Sequence, residues 1–263
     1  MAGEAKTTQM LLSTATLMIG PTASVYALNP ATHGVGLVKN VQVQTDMGYI
    51  DLTQGINNQL VMSVQNKLDT KITAEVYEYT AANLAYAGGL DGSTKTTLST
   101  AYILGTAITT GGTSVVLSAA PSGGDVVAGS VIVIQDTANP DRVHVGRVAS
   151  ISTATITLTA ATAMPSGTAF PIATTTVMTV NEIQMGPRVS QPTFGCKLVG
   201  LLPSTGKPIT LIFPKVKIQK GMNVAFETNN FTNLPFELVP YTLTATDPLY
   251  ADFGSNYYSI LAQ

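Results

Sequence analysis

The clearest pattern of apolar and polar positions lies in residues 71–90, KITAEVYEYTAANLAYAGGL. Its first half alternates with a period of two, which predicts a strand with one face on a core and the other facing something polar. The apolar positions are Ile72, Ala74 and Val76, and the polar positions are Lys71, Thr73, Glu75 and Tyr77. The period then becomes helical. Thr80 can cap a helix with its hydroxyl, and Gly88-Gly89 can end it, so residues 80–87 are predicted to form one short helix.

The remaining patterns divide the chain into three parts. Residues 1–91 and 177–263 contain long candidate strands, whereas residues 92–176 contain short strands rich in Thr, Ser, Ala, Gly and Val. Frequent Gly, Pro and Asn-Pro signals between these short strands predict a small all-β domain inserted into the first unit. The expected fold is therefore mainly β: a β-sandwich or barrel subunit with one short flanking helix, plus the inserted domain.

Two segments depart from simple strand patterns. Residues 47–59, MGYIDLTQGINNQ, are rich in turn-forming Gly, Asp and Asn, so a loop is expected here and not a core strand. The loop nevertheless contains Tyr49, Ile50 and Leu52. The last residues, which include Phe253, are too apolar for a solvated terminus, so this C-terminal segment is expected to dock on another surface.

Composition narrows the possible functions. Charged residues make up only 11% of the chain, against about a quarter in typical domains, so few charges keep a lone monomer soluble. The net charge of −2 provides no global basic field for nucleic acid. Cys196 is the single cysteine, so no intrachain disulfide forms and a small buried side chain is expected. Neither a secretory leader nor an apolar run of about 20 residues is visible, which indicates synthesis in a cytoplasm and no membrane segment.

Motifs for catalysis or ligand binding are missing from the sequence. No phosphate-binding loop is present, and the histidines His33 and His144 lack neighbouring ligands at metal spacing. Glu75 and Glu78 lie three apart on an extended run, so they face opposite sides and cannot act as a carboxylate pair. The sequence therefore predicts no catalytic, cofactor-binding or metal-binding residues and no enzymatic activity.

Four long segments carry a further signal: TLMIGPTASVYALNPATHGVGLVKNVQVQTD, DLTQGINNQLV, TAEVYEYTAANLAYAGGLDG and PITLIFPKVKIQKGMNVAFETNNFTNLPFELVP. They belong to both outer parts of the chain but not to the middle one. These segments resemble bacteriophage tail tube proteins. The resemblance implies a β-sandwich-like subunit, six of which join their sheets into a ring. Rings stack into a tube through which the genome leaves the capsid, and the middle domain would decorate the ring.

The resemblance assigns roles to particular residues. The inter-ring loop would include Met47, Tyr49, Ile50, Asp51, Leu52 and Asn57. Acidic residues expected near the lumen are Asp46, Asp51, Glu75 and Glu227, and those of the docking C-terminal segment are Phe253, Tyr257, Tyr258 and Ile260. Lys215 and Lys217 are expected to pair with carboxylates of the same or an adjacent subunit, because unpaired lysines would hold DNA.

The expected partners are other copies of the chain and other tail proteins, with DNA passing through without specific binding and with no cofactor. The expected location is the virion. Another phage structural component, such as a capsid decoration or baseplate protein, is the main alternative. A bacterial surface adhesin is disfavoured by the missing leader, and a small enzyme comes last.

Overall fold

The computed structural model describes residues 15–54, 56–92, 100–108, 110–165, 169–187, 190–202, 205–225 and 231–262. Strands dominate these residues, which confirms the expected mainly-β class. The chain divides into two compact units, Met1–Ser93 with Met185–Gln263 and Thr94–Gln184. The second boundary predicted from the sequence, after residue 176, differs from this division because it falls inside a strand, Thr175–Thr179, of the second unit.

Thirteen strands and a few short helices make up the described residues. In chain order the strands are β1 (Thr16–Pro21), β2 (Val38–Gln54), β3 (Gln59–Val76), β4 (Tyr102–Ile103), β5 (Ser114–Val116), β6 (Val131–Asp136), β7 (Val143–Ser152), β8 (Thr155–Leu158), β9 (Thr175–Thr179), β10 (Phe194–Leu201), β11 (Pro208–Lys220), β12 (Leu234–Pro240) and β13 (Ser259–Ala262). The helices are α1 (Pro30–His33), α2 (Ala81–Ala87) and α3 (Tyr250–Phe253), and short 3-10 helices span Thr22–Ala27 and Ala160–Thr162.

The first unit is built on a curled antiparallel sheet that forms a half-barrel. Its strands are neighbours in the order β1, β10, β11, β12, β3 and β2, and β13 pairs with the first half of β11. The predicted alternation in β3 is confirmed, because Ile72, Ala74 and Val76 are all buried. They join one core cluster with residues from five further strands, among them Leu17, Cys196, Phe213 and Phe236, and with Val35 and Ala87.

Helix α2 packs where the sequence places it. The Thr80 hydroxyl accepts a hydrogen bond from the Asn83 N–H at 3.1 Å, which is the predicted N-cap. Gly89 adopts a φ of +71° just after the helix, a conformation that glycine reaches with little strain. The buried Asn83 side chain donates to the Val35 and Glu78 carbonyls, at 2.9 and 2.8 Å, so it ties the helix to the chain before β2 and after β3.

The second unit is a smaller antiparallel sheet with its own core. Its strands are neighbours in the order β4, β9, β6, β7, β8 and β5. Its buried side chains include Leu104, Ile132, Ile134, Ile156 and Phe170. The turn after β6 is organised by buried Asp136, which accepts from the Ala138 N–H, the Asn139 amide and the Arg142 guanidinium at 3.0–3.2 Å. This unit therefore has the internal packing of an independently folded domain.

The prediction of a loop at residues 47–59 is wrong. β2 runs to Gln54 and β3 begins at Gln59, so most of this segment is paired strand with a tight connection. The register shifts between Gly48 and Tyr49 and again between Leu52 and Thr53, where β3 carries the extra residues Asn66 and Val61. Such shifts admit an extra residue without ending the pairing. The hairpin therefore extends far beyond the part of the sheet that covers the core.

Candidate assembly surface

The distal part of the β2–β3 hairpin, residues 49–65, is called the arm. Its strands pair from Tyr49 opposite Gln65 to Gln54 opposite Gln59, and the described residues offer them no other strand. Further down the hairpin, β3 acquires β12 as its second neighbour at Ile72. The arm is thus a two-stranded ribbon, a structure that is marginally stable alone in water.

The two faces of the arm differ in chemistry. Ile50 lies opposite Val64 and Leu52 opposite Met62, and side chains that are directly opposite share a face. The other face is mixed: Asp51 lies opposite Ser63, whose hydroxyl donates to the Asp51 carboxylate at 2.5 Å, and the exposed Leu60 lies opposite Thr53. The members of the apolar face of the arm are Ile50, Leu52, Met62 and Val64, with exposed fractions of 61%, 60%, 57% and 50%. Four aliphatic side chains on one exposed face indicate a contact surface.

The sequence-predicted loop residues are divided by this geometry. Ile50 and Leu52 lie on the apolar face, whereas Tyr49 and Asp51 lie on the other face, where the Tyr49 hydroxyl donates to the Met47 sulfur at 3.5 Å. Asn57 lies in the turn at the tip. Met62 and Val64 were missed, although their alternation with Ser63 and Gln65 is a period-two signal.

An apolar groove opens in the same unit, between the base of β2 and the strands β10 and β11. Its volume is about 240 Å³, and its lining residues are Ala15, Val41, Val43, Leu198, Gly200, Ile209 and Leu211. Most of these side chains are half-buried and pack against the edge of the main core. Among the described residues the groove is therefore an uncovered extension of the core, without a charged side chain in its lining.

The face of the sheet that points away from the core is polar, and its charged side chains contact partners within the chain. Lys71 lies 3.6 Å from Glu237, and Lys67 forms an ion pair with Asp69. The Gln44 side chain donates to both oxygens of Asp46, at 3.1 and 3.0 Å. This face therefore presents paired charges and amides to its surroundings.

The predicted lumen acids do not all share this face. Asp46 and Glu75 lie on it, Asp51 lies on the arm, and Glu227 lies outside the described residues. The pKa of Glu75 is held below its ordinary value, first because the Asn40 side chain donates to it and then because the Tyr77 hydroxyl does, at 2.9 Å. Glu75 is therefore ionised at neutral pH.

The two predicted lysine pairings have different outcomes. Lys215 donates to Asp247 at 2.8 Å within the same chain, as expected. This hydrogen bond, followed by those from the Thr244 N–H and hydroxyl, lowers the pKa of Asp247 to about 2. Lys217 lies over the Tyr241 ring, 5.1 Å from its centroid, so its contact within the chain is a cation–π interaction, and its pairing with a carboxylate of an adjacent subunit stays a prediction.

The C-terminal segment docks on its own unit. Phe253 is buried and stacks on Tyr26 with ring centroids 5.7 Å apart. The ring of Tyr258 lies 5.0 Å from that of Phe213. Tyr257 lines a pocket together with Tyr241 and Lys71. Ile260 of β13 lies opposite Leu211 of β11 and remains 57% exposed.

The reactive side chains elsewhere in the described residues, a cysteine and two histidines, are buried or contact a hydrogen-bonding partner. Cys196 is fully buried, and burial raises the pKa of its thiol, which keeps it protonated. His144 Nε2 lies 3.0 Å from the Thr162 carbonyl oxygen, and His33 Nδ1 lies 2.7 Å from the Thr32 hydroxyl. Within the described residues, no three His, Cys, Asp or Glu side chains are grouped so as to hold a metal ion. In the same part of the chain, every helix is too short or too polar to cross a bilayer.

Comparisons with known proteins find limited similarity. The chain matches no protein-family model and no curated protein. Among solved structures it is similar in part to the phage phi92 endosialidase, with 14% identity and a TM-score of 0.22 over 65% of this chain. The match spans only 28% of that protein's length. A likeness at this level carries no argument about fold or function, so functional conclusions depend on the surfaces of the chain itself.

Proposed function

We propose that this chain is the structural subunit of a bacteriophage tail tube, in which six copies form a ring and rings stack into a conduit for DNA ejection. The observation that carries the proposal is the arm, a ribbon that projects from the sheet with four aliphatic side chains exposed on one face. A projecting apolar face is costly in water, at about 25 cal/mol per Å² of apolar surface, and is stabilised by contact with another subunit. The arm accordingly serves as the contact between successive rings.

The ends of the curled sheet support ring formation. β1 and β2 stand at the two ends of its strand order among the described residues, and the outer edge of β1 is bonded in part to the chain, where the Val35 N–H donates to the Leu17 carbonyl at 3.1 Å. Unpaired strand edges favour pairing with another chain. A head-to-tail contact between different edges generates a closed ring when the rotation closes. Six subunits would in this way join their sheets around a central channel.

The polar face of the sheet would line that channel. Its charges include the Lys71–Glu237 pair, and its Lys217 lies over the Tyr241 ring. Each unpaired lysine facing DNA would release counterions from a phosphate and add to salt-dependent affinity. Paired charges and amides leave the phosphates unbound, which suits passage of the genome without adhesion. On this proposal the protein is located in the virion and performs no catalysis.

The proposal is tested by light scattering and negative-stain microscopy of the purified protein across a concentration series. Rings and tubes of constant diameter are expected as the concentration rises. A compact monomer at every concentration, together with the absence of this protein from tubes of the parent virion, would overturn the proposal.

A further inference from the structure

We propose that the apolar face of the arm of one copy binds the apolar groove of a neighbouring copy. The proposal adds detail to the proposed function and rests on it, because the contact requires that copies of the chain associate. It identifies the surface that receives the arm. The two surfaces carry the same chemistry, since both are aliphatic and neither contains a charged side chain.

Within the part of the chain that the structure describes, neither surface is covered by another segment. The four side chains of the arm face are each at least half exposed. The groove, at about 240 Å³, has the volume of about eight water molecules in the liquid, yet its aliphatic lining offers those waters few hydrogen-bond partners. Transfer of an aliphatic side chain from water into such a groove is favourable by about 1.5–3 kcal/mol when burial is complete. A contact between the arm and the groove therefore removes both of these apolar surfaces from water.

The arm cannot fill the groove of its own chain. Val43 lines the groove, and Ile50 begins the apolar face of the arm on the same strand. Seven residue steps separate Val43 from Ile50, a distance of about 23 Å at about 3.3 Å per residue. A paired ribbon with a single register shift between these positions cannot fold back over that distance. The contact must therefore be between chains.

Contact between two different surfaces has a defined consequence for assembly. Each copy donates one arm and receives another, so the contact is head-to-tail and propagates. The arm face measures about 20 Å by 10 Å, or about 200 Å², from its strand length and spacing. A stable interface buries about 800 Å² per partner. One arm in one groove is therefore too small to hold a dimer, and assembly requires several contacts at once.

Disulfide trapping tests the contact directly. One preparation carries Leu52→Cys, Met62→Cys or Val64→Cys on the arm face, and a second carries Ile209→Cys in the groove. The two are mixed with excess unmodified protein under assembly conditions and oxidised. Any product of twice the chain mass that contains both variants is intermolecular. The native Cys196 is buried and supplies an unreactive background.

The matched control is Ser63→Cys, which lies next to Met62 but on the other face of the arm. At least one arm-face variant is expected to cross-link to Ile209→Cys more than tenfold faster than Ser63→Cys does. Equal rates, or no cross-link from any arm-face variant, would overturn the proposal.

Microscopy of the same samples separates this inference from the proposed function. Tubes without the arm-to-groove disulfide overturn the inference and leave the tube proposal standing. The disulfide without tubes supports the inference and counts against the tube proposal. The absence of both overturns both.

Discussion

Shortening Leu52 to alanine separates assembly from folding. Leu52 is 60% exposed on the arm, and none of the core clusters formed by the described residues includes it. Its loss should therefore change the free energy of unfolding by less than about 0.5 kcal/mol. The proposed docking of the arm buries the side chain of Leu52, which is 60% exposed in the single chain; that share of a full leucine burial is worth about 1–2 kcal/mol per contact. Since about 1.4 kcal/mol is a factor of ten, the critical concentration for assembly should rise about 5- to 30-fold.

The two quantities are measured separately. Urea unfolding at low protein concentration reports the free energy of unfolding, and light scattering across a dilution series reports the critical concentration. Ser63→Ala, on the opposite face of the same ribbon, is the control and should alter neither by a comparable amount. Leu198→Ala, in the buried lining of the groove, should instead cost about 2–5 kcal/mol of stability. An unchanged critical concentration for Leu52→Ala, or a loss of about 2 kcal/mol in unfolding, would refute the reasoning.

Further predictions concern pH, the helix, the second unit and DNA. The pKa of Asp247 is depressed to about 2 in the folded chain, so its contribution to stability is present above the ordinary pKa near 4 and is lost as the pH falls towards 2. Asp247→Asn should therefore flatten the dependence of urea unfolding on pH in that window, and an unchanged slope would contradict this. Thr80→Ala removes the N-cap of α2 and should lower the free energy of unfolding by about 1 kcal/mol. Thr80→Ser keeps a capping hydroxyl and should retain most of that stability. Replacement of Thr94–Gln184 by a short Gly/Ser linker should leave a folded first unit that still assembles, because the second unit has its own core; an unfolded product in circular dichroism would show that the units depend on each other. Assembled tubes should not bind duplex DNA tightly at low salt; strong binding that weakens steeply with added salt would identify a DNA-gripping lumen.

Local sequence patterns determined the elements whose faces are set by their own period. The alternation in β3 predicts the buried Ile72, Ala74 and Val76, and the Thr80 cap with Gly88-Gly89 predicts α2. In both cases the deciding interactions lie within a few residues of chain: a pleat that alternates side chains, and a hydroxyl that reaches the next turn. For β3 and α2, the tertiary contacts agree with these local preferences.

The structure of the arm was decided at longer range. Gly, Asp and Asn in residues 47–59 favour turns locally, but pairing of β2 with β3 provides the hydrogen bonds that keep them extended. Only this pairing shows that Ile50, Leu52, Met62 and Val64 share one face.

The apolar groove depends on tertiary structure alone. It brings Val43 of β2 beside Leu211 of β11, which are far apart in the chain, and no local period records that proximity. The Lys215–Asp247 contact likewise joins residues 32 positions apart. The physical reason is that a period in the sequence specifies which side of an element is apolar, whereas the choice of what covers that side depends on how the whole sheet curls.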